Sequence, residues 1–243
     1  MTRTVAKSLA WAADGAAHLR GMMMRMGDDA FAAPSTLPNW SRAHVLSHVA
    51  RNADAMVNLL DWARTGTPTP AYASRQQRDA DIEAGAKRAP AEIRDDVVAS
   101  SDRLAAVVRE MPAQAWTAAV TSPKGNQMPA SEVLWWRARE VWIHAIDLDA
   151  GASFGDLPRP MLHELLTDVA ETLAARPDFP PLLLVPTDEP RTWAVGEGGR
   201  GGSEVTEVGG PVAELAAWLV GRSKGRNLRT AEGKRPKPLP AWI

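Results

Sequence analysis

The chain has 243 residues, a formal net charge of -1 and no cysteine. That length buries a substantial core in one or two domains, and the near-neutral charge argues against a nucleic-acid footprint or a basic membrane surface. The missing thiol excludes a disulfide framework, a cysteine nucleophile and a thiolate metal site, so any thiol chemistry must use a thiol brought from outside. With no apolar run of membrane-spanning length and no signal-like N-terminus, the protein is expected to be cytoplasmic.

Val5, Leu9, Ala12, Ala16, Leu19 and Met23 recur at helical spacing and predict an amphipathic first helix. Ser41 is placed to cap a second, whose apolar face is Val45, Val49, Met56, Leu59 and Leu60 and which ends at Gly66 and Pro68. Pro90 opens a third helix running to about Met111, and Pro129 with Ser131 opens a fourth towards Asp149. Four such helices favour a bundle, expected over residues 1–152.

From residue 153 the pattern changes. A helix from near Pro158 to Ala175 precedes short apolar runs, Leu182 to Val185 and Thr192 to Val195, which read as strands. Glu204 to Val208 alternates acidic with β-branched residues, and Pro211 starts another helix through Val220. Residues 153–243 are therefore expected to form a small α+β domain, and the whole chain an α+β protein. Gly196 to Gly201 fits GxGxxG, but a strand rather than a helix follows, so it reads as a hairpin loop and not a pyrophosphate cradle. Lys234, Arg235 and Lys237 among prolines read as a solvated tail.

The fourth helix carries an apolar stripe, Leu134, Ala138, Val141, Ala145 and Leu148, beside a polar one, Arg137, Glu140, His144 and Asp147. Glu140 and His144 are four residues apart and project from one face. His48 lies on a stripe of the second helix with Val45, Asn52 and Met56. Alone, the pair reads as an exposed hydrogen-bonded pair and His48 as a satisfied core histidine. Together they would bury two imidazoles and a carboxylate, which a shared metal would compensate; His44, one turn before His48, competes as a ligand. Trp135, Trp136 and Trp142 on the same helix read as packing residues.

Trp40 through Ala50, with His44 and His48, and Pro129 through Asp147, with Arg139-Glu140-Val141-Trp142-Ile143-His144, resemble the mycothiol-dependent maleylpyruvate isomerases. The similarity continues through Phe154 to Pro158 and, more weakly, from Gly221-Arg222 to the Pro-rich end. The resemblance implies a DinB-like four-helix bundle joined to a small α+β domain. It implies that His48, Glu140 and His144 ligate a divalent metal, usually Zn2+, and it leaves His44 out. Arg222 is similar to an arginine important for activity, whose role would be recognition of a substrate carboxylate; a cation near a helix C-terminus is the structural alternative.

Asn52 and Arg137, each about a turn from a proposed ligand, are candidates to support the ligands or to contact the mycothiol cofactor. Equally, they are an interior amide and an ion-pair partner of Glu140, while Asp147 is placed to orient a neighbour. The implied reaction converts maleylpyruvate to fumarylpyruvate in aromatic catabolism, by reversible addition of a metal-activated thiolate to the cis double bond. Two alternatives remain: a mycothiol S-transferase acting on another electrophile, and a noncatalytic hydrophobic-ligand binding protein. Expected partners are a small diacid and the thiol, with neither nucleic acid nor membrane.

Overall fold

Thr4 accepts a hydrogen bond from the Lys7 backbone N–H and starts α1, Val5–Arg25, in the computed structural model, which describes residues 3–176, 179–196 and 205–240. Ser41 caps α2, Arg42–Thr65, with a reciprocal bond from its own N–H to the His44 ring, and Gly66 ends it in the left-handed conformation at φ 75°. Next comes α3, Arg75–Ala86, capped by Ser74. Pro90 leads α4, Pro90–Glu110, where the Glu92 carboxylate accepts from the Ala89 N–H. A short hairpin, β1 Ala119–Thr121 and β2 Gln127–Pro129, precedes α5, Ser131–Asp147.

In this unit, Met1–Ala152, α1 packs on α5, and α2 packs on α4, α5 and α3. Gly15 sets the α1–α5 approach: a Cβ there would lie 2.6 Å from atoms of both Val141 and Trp142. The Trp142 indole N–H also donates to the Trp11 carbonyl across the same seam, at 2.9 Å. Because α1 covers one flank of α5 and α2 another, both stripes of that helix turn inward; Arg137 and Asp147 are as buried as Leu134 and Val141. Trp135 and Trp142 are core residues, and Trp136 is partly buried against the core.

Ser153–Ile243 forms a second compact unit. It contains α6, Arg159–Ala174, a four-stranded sheet, and α7, Val212–Leu219. The strands are β3 Leu182–Pro186, β4 Trp193–Val195, β5 Thr206–Gly210 and β6 Arg229–Thr230, in the order β4-β3-β5-β6. The expected hairpin between the strands flanking Gly196 is corrected here. They do not pair with each other: β4 runs antiparallel to β3 on one side, and β5 runs parallel to β3 on the other. Strand β3, with Leu182, Leu184 and Pro186 buried, takes the central position that its apolar composition suits. Residues 197–204, including most of the glycine-rich run, lie outside the described residues. Among those described, no helix is long and apolar enough to cross a membrane.

The α+β class and the helical bundle match the expectation. Two elements of the first unit were not anticipated, the hairpin and α3. Helix α3 buries only Ile82 and Gly85, so it has no apolar stripe for periodicity to detect. Its one local signature is Ser74-x-x-Gln77, with the serine hydroxyl accepting from the Gln77 N–H at 3.0 Å.

Candidate metal centre

The polar stripe of α5 faces α2 where His48 points inward, and His48, Glu140 and His144 offer ligand atoms that all lie within 4.8 Å of one another. His48 Nε2 is 2.8 Å and His144 Nε2 3.2 Å from the same carboxylate oxygen, Glu140 Oε2. The two imidazoles meet edge to face, with centroids 4.7 Å apart. The histidine side chains are nearly closed off, at 6% and 12% exposure, whereas Glu140 keeps 30%, which leaves the cluster open on the carboxylate side.

His144 is held from behind. Its Nδ1–H donates to Asp147 Oδ2 at 2.9 Å, and the wholly buried Asp147 accepts at its other oxygen from the Thr36 hydroxyl, also at 2.9 Å. This fixes the ring with Nε2 towards Glu140. Burial opposes charge on His144, but the hydrogen bonds and negative charges of Asp147 and Glu140 together outweigh it and raise its pKa to about 9. Burial likewise favours the neutral acid at Glu140, and the two imidazoles overcome this, holding the carboxyl well below its usual range. His48 moves the other way, because burial outweighs its bond to Glu140 and lowers its pKa.

Behind the cluster, Arg137 and Asn52 are 3% and 4% exposed, too enclosed to meet solvent. Arg137 Nη1 donates to Asn52 Oδ1 at 2.8 Å and to the Val49 carbonyl at 2.9 Å, tying α5 to α2. Burial lowers the arginine pKa to about 10, against the pull of Glu140, Tyr72 and Asp54, so the side chain stays charged at neutral pH. The attraction between Arg137 and Glu140 is a charge interaction through space.

His44, the competing ligand, is engaged elsewhere: Nδ1 lies 2.7 Å from the Ser41 hydroxyl and Nε2 3.1 Å from Glu83. Arg222 follows α7, where its N–H donates to the Ala217 carbonyl at 2.8 Å and its guanidinium reaches the Val220 carbonyl at 3.3 Å. Sequence reasoning missed Arg78 and Tyr72. Arg78 Nη2, from α3, donates to His48 Nδ1 at 3.2 Å, and its guanidinium lies 5.8 Å from the centre of the Tyr72 ring. The Tyr72 hydroxyl in turn interacts with Arg78 and Asn52. Only recognition of α3 through its Ser74 cap would have brought Arg78 into view.

Residues 12–149 match the family described as mycothiol maleylpyruvate isomerase N-terminal domain, and residues 156–240 match the corresponding MDMPI C-terminal domain. The chain belongs to the mycothiol maleylpyruvate isomerase family. Among solved structures, this family member is similar to the mycothiol-dependent maleylpyruvate isomerase and to a histidine-to-alanine mutant of it. Each is 32% identical, with 100% of both chains covered and a TM-score of 0.92. No curated protein matches the chain in sequence.

Proposed function

We propose that this protein is a metal- and mycothiol-dependent cis-trans isomerase that converts maleylpyruvate to fumarylpyruvate. The observation that carries the reading is the convergence of His48, Glu140 and His144 on one point in a chain of this family. Two imidazole nitrogens and one carboxylate oxygen fit a zinc site with open positions, and they also suit other first-row divalent ions. The buried Asp147 behind His144 fits the same assignment, since a carboxylate on the far nitrogen is the usual support of a ligating histidine.

Bound there, the metal would stabilise the thiolate form of a thiol. Mycothiol would supply that thiol, which a chain without cysteine must borrow, as the nucleophile whose reversible addition to the cis double bond permits rotation. The protein's own groups have distinct work. His48, Glu140 and His144 would hold the metal, with Asp147 fixing the His144 ring. Asn52 and Arg137, enclosed behind the triad, would support the cofactor's side of the site through Tyr72 and the α2–α5 tie. Arg222 is assigned to the substrate, where its paired N–H donors suit a carboxylate and the negative charge that develops next to it. The partners on this reading are a small diacid and a thiol, and the compartment is the cytoplasm.

The test is maleylpyruvate turnover by the zinc-loaded protein with and without mycothiol, beside His48→Ala. Turnover that needs both the thiol and His48 is expected. Full activity of His48→Ala, or conjugation of the thiol without isomerisation, would overturn the reading.

A further inference from the structure

Helix α3 brings one cation to the edge of the triad, and its surroundings point to an anion. Arg78 is 27% exposed and touches His48 on one side; on the other it lines a cavity of about 560 Å³ between α2, α3 and the segment around Tyr72. Two other arginines line that cavity, Arg51 and Arg88, and both are bound to Asp96. The cavity's acids are engaged as well: Asp54 by Arg51 and Arg103, and Asp81 by Gln77. Arg78 pairs with Asp79, its neighbour in sequence, which is 54% exposed, so that ion pair is solvent-screened and weak.

The contact between Arg78 and His48 has a further consequence. Arginine only donates, so His48 Nδ1 must accept, and the imidazole hydrogen sits on Nε2, facing Glu140. An imidazole that lends Nε2 to a metal carries its hydrogen on Nδ1 instead, where it would face the Arg78 N–H groups. Two donors cannot bond to each other. With His48 lending Nε2 to a metal, the Arg78 guanidinium would need another acceptor, and the cavity it lines gives it room.

We propose that Arg78 takes a carboxylate of the substrate diacid at the edge of the triad, from the side of the α2–α3 cavity. The identity of the diacid rests on the isomerase reading; the anion-binding role does not. Arg78 is a substrate-holding residue on this account, and Tyr72 is the platform beneath its guanidinium.

The test uses the full-length zinc-loaded protein, Arg78→Met and Arg78→Lys, with bound zinc measured in each. The probe is maleate, a cis-dicarboxylate without the pyruvyl group, titrated calorimetrically without mycothiol; KM and kcat for maleylpyruvate are measured separately. Losing a charge-assisted pair predicts maleate binding weaker by about 10- to 100-fold in Arg78→Met, with KM raised in step, kcat changed less and zinc retained. Arg78→Lys recovers part of the loss. Because Tyr72 is the single tyrosine of the chain, fluorotyrosine labelling gives one fluorine resonance beside Arg78, and maleate shifts it in the wild type but not in Arg78→Met. Wild-type maleate affinity per zinc-loaded Arg78→Met chain overturns the proposal, as does a wild type that binds no maleate. Isomerisation with unchanged KM in Arg78→Met removes Arg78 but leaves the reaction. Arginine-dependent maleate binding without isomerisation keeps Arg78 and removes the reaction.

Discussion

On the proposed metal-binding role, the raised pKa of His144 would make metal uptake a proton-releasing event at neutral pH. In the metal-free protein His144 titrates at about 9, because Asp147 and Glu140 outweigh its burial. A ligating nitrogen must be unprotonated, so each pH unit below about 9 weakens metal binding about tenfold, roughly 1.4 kcal/mol. At pH 7 the penalty is about 2.7 kcal/mol, or about 100-fold relative to alkaline conditions. His48 adds nothing there, since its pKa is lowered, and Glu140 is already ionised. Titration of the chelator-stripped protein with zinc, in buffers of different ionisation enthalpy at pH 7, should report about one proton released per ion. Log Kd should fall with a slope near one between pH 7 and 9. Asp147→Asn removes the anion behind the ring: proton release at pH 7 should shrink, while affinity at pH 9 falls by about 10- to 100-fold. Zinc affinity that is flat from pH 7 to 9, without proton release, would refute the coupling.

The same groups set the stability of the metal-free protein. The folded pKa of His144 lies above its ordinary 6.5, so its contribution is full below about pH 6.5 and lost as pH rises through about 9. Glu140 is depressed, so its contribution is present above about 4.5 and lost as pH falls further. Thermal melts of stripped protein should therefore fall as pH rises from about 6.5 to 9.5, as the His144 share of about 3 kcal/mol is lost, while His48, whose pKa is lowered, takes stability away as pH falls below about 6.5. Gly15→Ala pushes a methyl into Val141 and Trp142 and should destabilise by about 1–3 kcal/mol in urea unfolding. Arg137→Met leaves Asn52 Oδ1 without its buried donor and should cost about 2–4 kcal/mol by the same measurement. Arg222→Ala should raise KM for maleylpyruvate by about tenfold or more while bound zinc is unchanged; an unaltered KM removes it from the site.

Glu140 and His144 were legible because four-residue spacing on a helix needs no tertiary information, and Asp147 follows one turn later by the same rule. His48 was legible as an imidazole on an otherwise core-facing stripe of α2. The choice between His48 and His44 was not, since both sit on one helix a turn apart. The fold gives the two different neighbours: His44 closes the cap at Ser41 and reaches Glu83, while His48 meets Glu140 on α5. Arg137 and Asn52 were visible as polar residues near the ligands, but their mutual bond belongs to the packing of α5 on α2. In the second unit the strands were readable from composition, and their order was not: β3 pairs with β4 by a local connection and with β5 across a longer one.

By itself the sequence determined the helices with apolar faces, the carboxylate-imidazole pair, the absence of any thiol in the chain, and a family resemblance strong enough to suggest the reaction. These are local or compositional properties, carried by spacing along the chain. Tertiary structure alone decided that α3 lies against α2 and that Arg78 reaches His48. A polar helix with two buried residues is placed by its capping, by the arginine–carboxylate pairs around it and by the surface it covers, and none of those leaves a period in the sequence.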